Sequence, residues 1–254
     1  MQDKLQISTE IFNIMVSFSD GVSNHQHDNA IGALLALWFF LFATVLCVKR
    51  LINNGPTFNL TLILISCIFG ICRNGFLFII DYGYFRGFFP HPGVYNSIPL
   101  IDHTFQLLGL LAMNYAIIYL SAPPRWCIKY YHFSFIVPFF LYVLIQVLQR
   151  FGNLNLIEYS FFIGDIVYHG TMIFMTLSVL ALILYRHKSV ATSLLCYIMF
   201  ILTSNAYTFS NSITKSVYSD ILIPYHNAYY LWAIPFIIYY IQSIPIQNVT
   251  RDEI

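Results

Sequence analysis

The chain has 254 residues, of which 58% are hydrophobic and only 9% charged, with a formal net charge of +1 at neutral pH. Soluble domains carry roughly 25% charged residues, so this chain has too little polar surface to clothe a water-soluble fold of its length. The near-neutral balance and the lack of any long basic block give no grip for a polyanion, and nucleic acid is not an expected partner.

Residues 1–29 are mixed and polar, with acids at Asp3, Glu10, Asp20 and Asp28. No basic start leads into an apolar core and a small-residue cleavage site, so the stretch reads as a polar N-terminal tail rather than a signal peptide. Its one apolar piece, Ile11–Phe18, is too short to span a bilayer. Apolar runs then follow one another, each near the roughly 20 residues that cross a hydrocarbon core of about 30 Å. They predict helices over Ala30–Leu51, Phe58–Asp81, Ile98–Ser121, His132–Phe151, Phe161–Tyr185, Val190–Ser210 and Leu222–Ile246. Breakers separate them: Asn53-Asn54-Gly55-Pro56, Pro90-His91-Pro92-Gly93, Pro123-Pro124 and Gly152-Asn153. The expected fold is all-α: a polytopic bundle of about seven transmembrane helices over residues 30–246, ending in a short tail at 247–254. It reads as a multi-pass integral protein of the plasma membrane or endoplasmic reticulum, with the lipid bilayer as its first partner. No internal repeat is visible, which removes the best sequence sign of an inverted-repeat transporter.

Basic residues orient the bundle. Lys49, Arg50, Arg125, Lys129, Arg186, Lys188 and Arg251 flank one set of helix ends; Lys4, Arg86, Arg150 and Lys215 flank the other, among the acids Asp81, Glu158 and Asp220. The positive-inside bias places the first set in the cytosol, the N-terminus outside or in the lumen, and the C-terminus inside. The sequons at Asn59 and Asn248 then face the cytosol, where they are not used. The five cysteines show no CxxC spacing, so neither a disulfide framework nor thiolate metal ligation is expected.

Against this apolar background the ionisable residues inside the runs stand out. Arg73 and Asn74 lie near the middle of the second run; Asp102, His103 and Gln106 open the third; Asp165 and His169 share one face of the fifth; Asn205 lies in the sixth; His226 lies near the start of the seventh. An ionisable group facing lipid costs about 2.5–3.5 kcal/mol, so these side chains should turn inward and pair. Arg73 holds its charge permanently and needs a carboxylate, from Asp102 or Asp165. His103, Gln106, Leu110 and Asn114 recur at helical steps and form one stripe, expected to face the bundle axis. Together these positions predict a polar pocket in the outer half of the bundle. Each also has a plainer reading: Asp102 and His103 as residues snorkelling to water, Asp165 with His169 as a helix-locking pair, His226 as a loop neighbour.

Four functions compete for such a pocket. A receptor or sensor for a small-molecule or lipid ligand suits seven helices with an outward site. The chain departs from the rhodopsin-like pattern, because its third helix ends without an acidic-Arg-aromatic triplet and its seventh has no lysine for a retinal Schiff base, which excludes retinal. An intramembrane enzyme acting on a lipid or isoprenoid is the alternative, either as a zinc-dependent hydrolase using His103, His169 and His226, or as an acid-catalysed cyclase or isomerase. A short piece, Ala122-Pro123 followed by Trp126, is similar to one in seven-helix fungal terpene cyclases, whose second helix, however, carries a carboxylate where this chain has Arg73. A small-solute or proton-coupled transporter would need more polar residues in the inner half than Asn114 and Gln242. A membrane assembly factor would use the same polar groups only to specify helix pairing.

Overall fold

A computed structural model describes residues 25–85, 88, 97–120, 129, 131–133, 136–137, 139–144, 157–186, 192–214 and 233–244. Every element among them is helical, with no strand. The helices are α1 (His25–Asn54), α2 (Phe58–Phe85), α3 (Ser97–Leu120), α4 (Ile157–Arg186), α5 (Thr192–Thr214) and α6 (Ala233–Ser243), with further helical residues between 131 and 144. Three of these helices are long and apolar enough to cross a bilayer, through spans at Ala30–Asn54, Phe58–Ile80 and Ile101–Leu120. The apolar stretches described in α4, α5 and α6 are shorter, at Tyr168–Leu184, Thr192–Ala206 and Ala233–Ser243. Residues 1–24 and 247–254, the Pro-rich connectors, and the basic residues Lys4, Arg86, Arg125, Arg150, Lys188, Lys215 and Arg251 lie outside the described residues, as does the chain around His226.

The helix ends differ in detail from the sequence expectation. Helix α1 begins at His25, inside the stretch read as a polar tail, because helical hydrogen bonding continues through a polar first turn whose groups water can solvate. It ends at Asn54, where Gly55 adopts φ 76°, a left-handed conformation that glycine takes without a Cβ penalty. Pro56 then prevents continuation. Thr57 starts α2, its carbonyl accepting hydrogen bonds from both the backbone NH and the hydroxyl of Thr61.

Side-chain contacts fix the helix directions. On α2 and α3, Arg73 meets Asp102 and Ser66 meets Gly109. Two helical turns separate the partners on each helix, as an antiparallel pair in fixed register requires. His103 meets Tyr142 while Tyr115 meets His132, so the 131–144 segment runs antiparallel to α3. Gln106 of α3 meets Tyr168 of α4, and His169 of α4 meets Asn205 of α5. Arg50 Nη2 donates to the Gln242 carbonyl at 2.6 Å, bringing the C-terminal ends of α1 and α6 together.

Apolar periodicity accounts for the core. Helix α4 buries Tyr168, Met172, Met175 and Val179; α5 buries Leu194, Ile198 and Ile201; α6 buries Ala233, Ile237 and Ile241. These are three- and four-residue steps that line one face of each helix. Helix α3 is central, with Leu107, Met113, Ala116, Ile117 and Ile118 all sealed. Helix α1 is peripheral: Trp38, Phe42, Val45 and Ile52 are exposed on one side while Ala36, Ala43 and Cys47 are buried on the other. In a bilayer the exposed apolar side chains of α1 face acyl chains at no cost, whereas in water they would form a continuous apolar stripe.

Candidate functional site

The ionisable residues of α2 and α3 find each other. Arg73 Nε donates to Asp102 Oδ1 at 2.6 Å, and Nη2 lies 3.5 Å from Oδ2, so the guanidinium faces the carboxylate edge-on. The two side chains are 7% and 15% exposed, which leaves little water to screen them. Each charge alone would be costly when this deeply buried, and the pair is net neutral. Register places them together, since seven residues before Arg73 on α2 and seven after Asp102 on α3 the Ser66 hydroxyl donates to the Gly109 carbonyl at 2.7 Å.

An aromatic group adjoins the pair. The His103 ring stacks on the Tyr168 ring, with centroids 3.8 Å apart and planes 6° from parallel. His103 Nδ1 also shares a hydrogen bond of 2.8 Å with the Tyr142 hydroxyl. The Tyr168 hydroxyl donates to Gln106 Oε1. His103 is therefore held by two tyrosines from different elements, and Gln106 has its carbonyl end occupied. The buried Gln106 Nε2 has no hydrogen-bond partner among the described residues.

Gln106 lines a cavity of about 40 Å³, measured as room for the centre of a water-sized sphere. Arg73 and Asn74 line it from α2, Phe40 from α1, Tyr197 from α5 and Ile234 from α6. Of the residues the sequence assigns to a polar pocket, Arg73, Asn74 and Gln106 line this cavity, together with Gly70 and Gly109. Small residues let the helices around it approach. Gly70 lets the Phe40 ring lie against the α2 backbone, where an added Cβ would come within 2.6 Å of that ring. Gly109 and Ser66 keep α2 and α3 close. Arg73 lines the cavity from the ion pair.

The remaining predicted positions divide in two. Asn74 Nδ2 donates to the Gly70 carbonyl at 2.7 Å, a bond within its own helix that leaves the residue on the cavity wall. His169 shares a 3.0 Å hydrogen bond with Asn205 Oδ1, and Asn205 Nδ2 donates to the Ile201 carbonyl, so this α4–α5 contact is closed and does not line the cavity. Asp165 lies on α4, four residues before His169, and its side chain is outside the described residues, as is all of His226. The three-histidine zinc site therefore has two members in view. His103 and His169 each have Nδ1 engaged elsewhere, and no group of three metal-ligating side chains converges among the described residues. The stripe on α3 is buried at Gln106, Leu110 and Asn114, and both polar atoms of the Asn114 amide lack partners among the described residues.

Tyr142, Tyr168, Ser66, Gly70, Gly109 and Phe40 escaped the sequence reading. For three of them a signal was present: Ser66, Gly70 and Gly109 are small residues in the middle of apolar runs, the usual mark of close helix approach. No comparable signal separates Tyr142 and Tyr168 from the other 17 tyrosines.

Neither a protein-family model, nor a curated protein, nor a solved structure matches this chain.

Proposed function

We propose that this chain is a receptor- or sensor-like membrane protein of seven spans, N-terminus outside and C-terminus in the cytosol, that binds a small ligand inside its helix bundle. One observation carries the reading: residues of five helices, Arg73, Asn74 and Gln106 among them, line one cavity inside the bundle. Because α1, α2, α3, α5 and α6 all border the space, an occupant that fits one arrangement of them better than another shifts their packing.

The assembly reading is second, favoured by Ser66–Gly109 and His169–Asn205, which join helices and line up with no need of a ligand. The acid-catalysed enzyme has less support, because a carboxylate held by Arg73 accepts hydrogen bonds rather than donating a proton.

Native mass spectrometry of protein taken gently from membranes tests the proposal. Wild type should carry a small-molecule adduct, and Leu110→Phe, which enlarges a side chain on the cavity wall, should lose it. Two bare spectra, with Leu110→Phe the more heat-stable protein, would overturn the receptor reading in favour of helix pairing.

A further inference from the structure

The polar stripe of α3 runs on past the cavity to Asn114. That residue is fully buried, and neither its Nδ2 nor its Oδ1 has a hydrogen-bond partner among the described residues. We infer that α3 has a second packing, in which the Asn114 amide is hydrogen-bonded, and that the unpaired amide sets the balance between the two. Such a packing exists whether or not a ligand binds.

Other amides inside the described helices are satisfied, wholly or in part. Asn74 Nδ2 donates to the Gly70 carbonyl and Asn205 Nδ2 to the Ile201 carbonyl, each four residues back on its own helix. Asn205 Oδ1 also meets His169, and Gln106 Oε1 accepts from the Tyr168 hydroxyl. Asn114 has the same local option at the Leu110 carbonyl and does not take it. Thr44 and Arg50 each leave one buried atom unpaired as well, but both residues are partly exposed, whereas Asn114 is closed on every side.

The packing around Asn114 offers no relief. Neither amide atom is open to a water molecule. Its neighbours along α3, Met113, Ala116, Ile117 and Ile118, are buried and apolar. Unmade hydrogen bonds in such surroundings raise the free energy of the packing that contains them. Leucine branches at the same atom and has no polar ends, so close packing alone does not call for an amide here.

Relief therefore requires movement. A second packing gains the bonds of the amide and gives up some of the apolar contact of the first, which brings the two close in free energy. Shifts of a packed helix by an ångström or two are the usual scale of such a change. Leu110 lies one turn before Asn114 on the same face and lines the cavity, so movement at Asn114 reaches the cavity wall.

The test uses the full chain, isotopically labelled at the methionine methyl groups, in phosphatidylcholine nanodiscs. Met113 adjoins Asn114 and is fully buried; Met199, exposed on α5, serves as the reference. The Met113 signal is assigned by its loss in Met113→Leu. In wild type the Met113 methyl should exchange between two environments, read as relaxation dispersion on the microsecond-to-millisecond scale or as a doubled signal, while Met199 does not. Asn114→Leu and Asn114→Ala, one keeping the branching and one adding no bulk, should both abolish that exchange. The thermal midpoint of at least one of them should rise by about 2–4 °C, as relief of an unmade bond gives in a chain of this size. A single static Met113 environment in wild type, or exchange that persists in either variant, would overturn the second packing. A lower midpoint in both variants would show that the amide stabilises the packing seen here, and would overturn its role in the balance.

Discussion

Two of the polar junctions between helices, among the described residues, are built differently. Between α4 and α5, His169 and Asn205 close on each other, and the second amide group of Asn205 is spent on Ile201 of its own helix. Between α2 and α3, Arg73 and Asp102 also close, but Gln106, one turn along, keeps a donor unpaired beside a cavity. The difference lies in shape: a cavity adjoins the second junction, with Arg73 and Gln106 on its wall. A polar contact packed on all sides needs only its helices, whereas one beside open space has capacity for something else.

The sharpest way to break this contrast is at the ion pair. Arg73→Met should leave Asp102 charged and alone, lowering stability by about 3–5 kcal/mol in denaturant titrations of the micellar protein. Adding Asp102→Leu should return much of the loss. If the double variant is no better than the single one, the pair is not what joins α2 to α3.

The shape argument predicts a smaller effect. Gly70→Ala should push the Phe40 ring off the α2 backbone, costing about 1–3 kcal/mol as overpacking does. Combining it with Phe40→Leu should recover most of that cost, read as the shift in thermal midpoint. Independent, additive losses would mean that Gly70 does not seat the ring.

The smallest effect belongs to the closed junction. A double-mutant cycle of His169→Phe and Asn205→Leu should give a coupling energy of about 0.6 kcal/mol, the average for interhelical hydrogen bonds in membranes. A coupling as large as that of Arg73 with Asp102 would show that the two junctions act as one.

By itself the sequence determined the class of the fold. Long apolar runs with few charges can satisfy their backbone in hydrocarbon only as helices, and they emerge as helices here. It also determined that Arg73 needs a carboxylate, because a permanent cation mid-run has no other stable outcome, and it left Asp102 and Asp165 as the choices. What only tertiary structure decided was the partner and the place. Helical spacing gives the face of a residue on its own helix but not the register between helices, and that register is what sets Arg73 opposite Asp102 and Ser66 opposite Gly109. The same limit hid Tyr142 and Tyr168, which matter here only because folding stacks one on His103 and hydrogen-bonds the other to it. The cavity is the extreme case: residues of five helices line it, and a space between helices exists only once they have packed.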